Sequence, residues 1–509
     1  MLSLFARSGA TRWFVAGLLG PLIAACAASA PTIARLDDAA TSRIGVMAGS
    51  IGETIVATRF PKAEVQTFDD VMDAISAMQA GHLDAVVTGF PTAIQVTKKH
   101  PDLLMLSEPL SAEPTAVGAR PADTVLLAAV NRALDSLRAD GTLDAMRARW
   151  FKTDLTPYDD PEIPAVTSGV PLIIGVSATR DPVNFLDAAG RVSGHEGELA
   201  RRIGQLLRRP IEFRDMKFMA LIPALQAGKI DLIVTFMSIT EERRKRMAFS
   251  TTYYENTQRM LVHAPEGAAT SEPAAPSWWD GLRASIQSNL VQEQRYLLLL
   301  DGLKTTMLIA LLSALFGTLL GALVCYARMA SNRLLSLGAI AYIALLRGTP
   351  VLVLLMLVFY VVFASVDISP ILVAVLAFGM NFAAYVAEIF RTGIEGVDPG
   401  QREAGMAMGF TRVATFRYII LPQTIQRVLP VYKGEFISMV KMTSVVGYIA
   451  VQDLTKASDI IRSRTFDAFF PLIVVALLYF LIAWVLTRAL DALERQTDPQ
   501  QRRRARRST

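Results

Sequence analysis

The chain has 509 residues, 52% of them hydrophobic and 19% charged, with a mean hydropathy of +0.37; this composition fits a membrane protein with a large soluble part, and the length allows two or three domains. Two cysteines, Cys26 and Cys325, exclude a disulfide framework, and the four histidines show no metal-ligand spacing, so neither a metal nor a cofactor is expected. The net charge of +5 is local, peaking in Arg502-Arg503-Arg504-Ala505-Arg506-Arg507 within residues 491–509; just after an apolar helix this marks a basic cytoplasmic tail on anionic lipid rather than a nucleic-acid site.

Residues 1–31 read as a signal peptide or N-terminal anchor. Arg7 and Arg12 precede a charge-free stretch from 13 to about 32. Leu22-Ile23-Ala24-Ala25-Cys26 resembles a lipobox, with Cys26 lipidated after cleavage. Ala28-Ser29-Ala30, followed by Pro31, is an ordinary cleavage site, and retention as an anchor is the third reading. All three send the next segment out of the cytoplasm.

From 43 to 264 short strands alternate with helices. Ile44-Gly45-Val46-Met47-Ala48-Gly49-Ser50 is a strand running into a turn, and Leu83-Asp84-Ala85-Val86-Val87 is a second buried strand. Helical periodicity over 126–149 puts Val130, Leu134, Leu137 and Leu143 on one face. A second series opens at Leu172-Ile173-Ile174-Gly175-Val176, and its helix, 196–208, groups Leu199, Ile203 and Leu206. This alternation predicts an α/β fold with predominantly parallel sheets. The Pro- and Asp-rich segment 156–171 is a linker, as is 265–290, whose first part is rich in Ala, Pro, Glu and Ser. Trp278-Trp279 near its end suits a membrane interface.

An all-α part follows over 297–490. About 23 uncharged residues run from 305 to 327, roughly 19 from 348 to 366 and about 20 from 368 to 387, each near the ~20 that cross a bilayer. A fourth span, 428–451, is interrupted by Lys433, Glu435 and Lys441, which either line a route or form structural pairs. The fifth covers 468–487. Starting outside, five spans put Arg328, Arg333, Arg347, Arg391, Arg402, Arg412, Arg417, Arg427 and the tail inside, as the positive-inside rule requires.

Between the third and fourth spans stands Arg402-Glu403-Ala404-Gly405-Met406-Ala407-Met408-Gly409, then Ile419-Ile420-Leu421-Pro422. An acidic start suits a helix N-terminus, Gly409 supplies a turn, and Pro422 needs no amide donor. The pattern resembles the EAA loop of ABC-importer permeases, departing from it at Gly405, where a second alanine is usual. Arg347-Gly348-Thr349-Pro350 and Gly434-Glu435-Phe436-Ile437-Ser438 resemble the amino-acid permeases, and this likeness covers nearly all of 297–490. It implies docking of a cytoplasmic ATPase subunit through Glu403, Ala404, Gly409, Leu421 and Pro422, and a homodimer with its pore at the twofold axis.

Residues 172–264 resemble the first lobe of a type II periplasmic binding protein for polar amino acids. The likeness rests on Gly190-Arg191-Val192-Ser193-Gly194, on 221–231, on Ser238-Ile239-Thr240-Glu241-Glu242-Arg243 and on Phe249-Ser250-Thr251-Thr252-Tyr253-Tyr254. Residues 43–155 resemble the second lobe plus the closing C-terminal helix. The lobes thus stand in inverted order, which reads as a circular permutation joined through 156–171; two truncated halves of a tandem duplication is the competing reading. The resemblance implies that Arg243 grips a ligand carboxylate bidentately, with Ser238 assisting, Thr235 a further hydroxyl, Phe218 an aromatic wall and Ser50 the closing turn. The amine side departs from the family: the lobe-two acid falls at Gly89, the lobe-one acid near Ser177, and the first aromatic clamp near Arg180. Asp181 and Glu196 are candidate substitutes.

No G-x-x-x-x-G-K-[ST] phosphate loop occurs, so ATP hydrolysis is expected of a separate subunit. The expected function is a multi-pass inner-membrane permease of an ABC importer, with a fused extracytoplasmic binding domain and a cytoplasmic C-terminus, taking up a polar amino acid or related carboxylate. A ligand-gated channel is the main rival, but its pore would lie between the lobes. An importer with a vestigial binding domain is another alternative. A membrane-bound hydrolase lacks a catalytic constellation.

Overall fold

The computed structural model describes residues 33–497 apart from 153–155, 157, 188, 266–277, 365, 367 and 468. The signal segment with Cys26, much of the 265–290 linker and the tail arginines lie outside the described residues.

Strands β1 (Arg43–Met47), β2 (Glu64–Phe68) and β3 (Ala85–Gly89) pair in parallel in the order β3-β1-β2. Ile44, Val46 and Val86 are fully buried, as a parallel sheet covered on both faces requires. Helices α1 (Ile51–Arg59), α2 (Val71–Gln79) and α3 (Phe90–Lys99) complete this N-terminal lobe; the Asp70 carboxylate caps α2 by accepting from the Met72 amide at 3.0 Å. Strands β4 (Leu103–Met105) and β5 (Ser111–Ala119) follow, then α4 (Thr124–Ala139) and α5 (Thr142–Trp150). The continuous helix expected over 126–149 is broken because Gly141 adopts φ +77°, the left-handed conformation that ends a helix.

The C-terminal lobe begins at β6 (Leu172–Val176). A small antiparallel sheet of β7 (Thr179–Arg180), β8 (Asn184–Leu186) and β9 (Val192–Ser193) follows, then α6 (His195–Leu207), β10 (Ile211–Asp215) and β11 (Leu232–Ser238). Leu199 and Ile203 of α6 are buried, while Leu206 is exposed. The lobe closes with the short helix α7 (Glu241–Arg244), β12 (Ala248–Phe249) and β13 (Tyr254–His263).

Everything but the small sheet joins one ten-stranded sheet, in which β10-β6-β11 and β3-β1-β2 are the two ends and β5-β13 the seam. β5 pairs antiparallel with β11 and β13, and β13 with β3. Chain segments more than a hundred residues apart therefore share each lobe boundary. Helices α4 and α5 leave the seam to pack on the C-terminal lobe: Val130, Leu134, Met146 and Trp150 share a core with Leu172, Ile174, Leu199 and Ile203.

The helical part contains α8 (Tyr296–Met329), α9 (Arg333–Gly348), α10 (Val351–Leu357, extended by a π turn to Val362), α11 (Pro370–Glu395), α12 (Pro399–Ala407), α13 (Arg412–Thr415), α14 (Leu421–Met442), α15 (Leu454–Thr465) and α16 (Phe470–Thr497). Among the described residues, three helices are long and apolar enough to cross a membrane, or up to five if each bent pair is one span. The stretch expected as a single span at 348–366 is instead the second arm of a pair bent by 109°. Pro350 pushes Thr349 into extended backbone, φ −100° and ψ 128°, so helix α9 stops there. Helices α8 and α11 approach closely through glycine: a Cβ on Gly317 would stand 2.7 Å from the Gly379 carbonyl. Of the charges in α14, Lys433 pairs with Asp491 at 2.5 Å and Glu494 at 3.2 Å on α16, a structural pairing.

Candidate functional site

The two lobes meet over a partly open cavity of ≈ 50 Å³. Ser50, Phe218, Ser238 and Arg243 all line it, drawn from the start of α1, the loop after β10, the end of β11 and α7. Arg243 is 8% exposed. Thr240 caps α7, accepting from the Arg243 amide at 3.2 Å, which fixes where the arginine leaves the helix. Its guanidinium donates to the Ser238 carbonyl at 2.8 Å and, across the lobes, to the Gly49 carbonyl at 2.7 Å. Burial, and then the charge of Arg180, push the Arg243 guanidinium down to about 10.

Thr235 takes a different place from the one expected. It does not line the cavity; its hydroxyl and carbonyl accept from Arg180 at 2.6 and 2.7 Å. Arg180, at the position of the missing aromatic clamp, does line the cavity. Both guanidinium carbons sit over the Phe218 ring, 5.4 Å from its centroid for Arg180 and 5.7 Å for Arg243, a cation–π arrangement. Phe236 adds a second aromatic wall; it holds φ +49° at an irregularity in β11, where its amide donates to Glu196 at 2.9 Å.

Neither substitute acid reaches the cavity. Glu196 accepts from Phe236 and from the Tyr253 hydroxyl, and Asp181 accepts from Tyr158 at 2.9 Å. The Gly89 position is closed by Asn256: a Cβ there would stand 2.9 Å from its amide nitrogen. Asn256 and Gln258, alternate residues on one face of β13, line the cavity and were missed from sequence. Their signal was two polar side chains on a strand face otherwise formed by Tyr254, Met260 and Val262.

At the far end of α14 lies the loop. Helix α12 begins at Pro399, capped by the Asp398 carboxylate, and Gly409, φ +86°, turns the chain toward α13. Gly405 is buried; a Cβ on it would stand 2.7 Å from Thr415 Cγ2 and 2.8 Å from Ile419 Cδ1. That contact accounts for glycine where the family pattern carries alanine. Gly405→Ala is expected to open the α12–α13 hairpin at about 1–3 kcal/mol, the usual overpacking cost, seen as a lower melting temperature; unchanged melting would show that the hairpin relaxes freely. Glu403 and Ala404 are exposed, beside exposed Met406, Met408, Phe410 and Val413.

At the other end of α14, helix α15 lies against both lobes. Lys456, 2% exposed, pairs with Asp215 of the C-terminal lobe at 3.1 Å, and Lys217 pairs with Asp459 at 2.8 Å. Toward the N-terminal lobe, Arg462 pairs with Asp73 at 2.7 Å, and His100 meets the Phe466 carbonyl at 2.7 Å. Ile460 is buried in the core of the C-terminal lobe and Phe466 in that of the N-terminal lobe. Sequence gave no sign of this, since the partners lie hundreds of residues apart.

The model of bacterial extracellular solute-binding proteins, family 3, matches residues 172–434, more than half of the chain. The L-cystine transport system permease protein TcyB of Bacillus subtilis (strain 168) is 34% identical over 219 residues, 43% of this chain and 94% of that protein. The glutamine transport system permease protein GlnP of Escherichia coli (strain K12) is 35% identical over 202 residues, 39% of this chain and 92% of that protein. A solved amino acid ABC transporter with histidines is 34% identical, covering 44% of this chain and 99% of that chain with a TM-score of 0.38.

Proposed function

Because the chain belongs to the fused polar amino acid ABC importers, joining a family 3 solute-binding domain to an ABC permease, we propose that it captures a polar amino acid or related carboxylate outside the inner membrane and passes it inward. Energy comes from a separate cytoplasmic ATPase that docks on Glu403, Ala404, Gly409, Leu421 and Pro422. The observation that carries this reading is α14, 22 residues long and so roughly 33 Å. It has the α12–α13 hairpin at one end and, through α15, the two lobes at the other. A helix of bilayer length thus connects a solute cleft to a docking surface.

Residues 43–155 and 172–264 form one binding domain in permuted order, a reading supported by the β5–β13 seam, which interleaves strands from both segments. Arg243 grips the solute carboxylate beside Ser238, Phe218 and Ser50. Residues 297–490 form a five-span permease, counting each bent pair once, with the binding domain outside and the C-terminus inside. Helix α16 exposes Leu477, Phe480 and Trp484, apolar surface suited to lipid or to a second copy in a homodimer.

The test is uptake of labelled glutamine, glutamate and succinate by right-side-out membrane vesicles loaded with ATP and carrying the chain with its ATPase. Uptake should require ATP and the ATPase. Glu403→Ala should lower it by roughly tenfold or more, equivalent to losing about 1.4 kcal/mol of docking, with solute affinity unchanged. Uptake that continues without the ATPase, or at full rate in the variant, would sink the reading.

A further inference from the structure

We propose that the solute is a small dianion without an ammonium group, a dicarboxylate, held by Arg243 at one carboxylate and by Arg180 at the other. The proposal rests on the importer reading above and names the solute class of that same cleft.

The cavity wall decides it. Among the described residues, the charged side chains lining the cavity are Arg180 and Arg243, with no carboxylate between them. Every nearby acid is engaged elsewhere: Asp70 accepts from Thr179 and from the Met72 amide, Glu196 from Tyr253 and the Phe236 amide, Asp181 from Tyr158. The place where an acid would meet an amine is Gly89, and the neutral Asn256 amide fills it. An ammonium brought into this cleft would face two guanidinium charges with no carboxylate on the cavity wall, since Asp70 and Glu196 act on Arg180 from outside the lining, an arrangement that disfavours binding.

Arg180 is built to hold an anion rather than merely to pack. One terminal nitrogen is fixed by Thr235, through both its hydroxyl and its carbonyl, while the buried Nε has no protein partner. A buried guanidinium donor left open is costly unless something accepts from it. Arg243, in turn, spends its fork on two carbonyls, Ser238 and Gly49, neutral acceptors that a carboxylate replaces with a stronger, charge-assisted pair. Because both cations share the Phe218 ring, two negative charges a few bonds apart neutralise both at once. Asn256 and Gln258 supply uncharged amides alongside.

The experiment is isothermal titration of the full-length chain in lipid nanodiscs with succinate, glutarate, butyrate, L-glutamate and L-glutamine. Succinate or glutarate should bind at least tenfold more tightly than either amino acid. Arg180→Gln should weaken the dicarboxylate at least tenfold and leave butyrate, which uses Arg243 alone, within about twofold. Arg180→Met serves as a second variant, and both are compared only where the melting temperature matches the parent. The reciprocal variant Gly89→Asp with Asn256→Ala, which places an acid in the cleft and clears its room, should shift preference toward L-glutamine; Gly89 has φ −66°, so a side chain is tolerated there. Tighter binding of L-glutamine or L-glutamate than of any dicarboxylate would overturn the solute class and leave the importer standing. A correctly folded chain that binds none of the five would overturn the receptor reading along with it.

Discussion

Arg243→Ala should weaken solute binding by at least about 30-fold, the lower end of the 2–5 kcal/mol lost when one partner of a buried charged pair is truncated. The side chain is 8% exposed, so the carboxylate it meets is removed from water. The same substitution removes the tie to the Gly49 carbonyl, which links the lobes directly. Arg243→Lys separates the two effects. A lysine keeps the charge but presents one ammonium instead of a planar fork, and an intermediate loss is expected. Titration of succinate and L-glutamine into the nanodisc-embedded chain reads both variants. Full affinity for either solute in Arg243→Ala would remove this residue from the site.

Lys456→Ala should release the binding lobes from α15. The Lys456–Asp215 pair is nearly dry, with side-chain exposures of 2% and 5%, and removing one partner from such a pair leaves a buried charge uncompensated at about 3–5 kcal/mol. Asp215 also accepts from the Ala178 amide at 2.8 Å, two residues from Arg180, so the disturbance starts beside the cleft. Amide exchange over Leu454–Thr465 should rise by about two orders of magnitude or more if docking limits its opening, and ATP-driven uptake should fall in parallel. Replacing both partners, Lys456→Met with Asp215→Leu, should restore much of the protection, because an apolar pair of similar volume is often neutral or better than a buried ion pair. Unchanged exchange in Lys456→Ala would mean that Ile460 and Phe466 hold the helix by packing alone.

These two sites sit at the two ends of one chain of contacts. The cleft closes through Arg243 and through the Thr179 hydroxyl, which donates to Asp70 on the opposite lobe. Helix α15 touches both lobes through oppositely arranged charges: its Lys456 and Asp459 meet Asp215 and Lys217, and its Arg462 meets Asp73. Helix α15 therefore holds ion-pair partners on both lobes, and α14 leads from there to the hairpin.

What local pattern dictates was legible in the residues themselves. Apolar runs of four or five between turn residues became β1, β3 and β6, and uncharged stretches of bilayer length became α8, α11 and α16. The spacing from Arg402 to Pro422 became a helical hairpin turning at Gly409, and the Ser238–Arg243 motif delivered its arginine to the cleft. Where one residue overrode the pattern, the error was local too: Gly141 split a helix and Pro350 bent a span. Other features were settled only by tertiary approach. Arg180 enters the cleft because Thr235, 55 residues away, holds it; Asn256 occupies the room at Gly89 because β13 pairs with β3; and α15 stands between lobes whose contacting residues lie 389 and 241 residues earlier. Periodicity and motif spacing report which face of an element is apolar, since that is set by neighbours three or four residues away. They carry no information on which distant side chain comes to fill a given space, and in this protein that choice sets the charge of the cleft and the contacts α15 makes with both lobes.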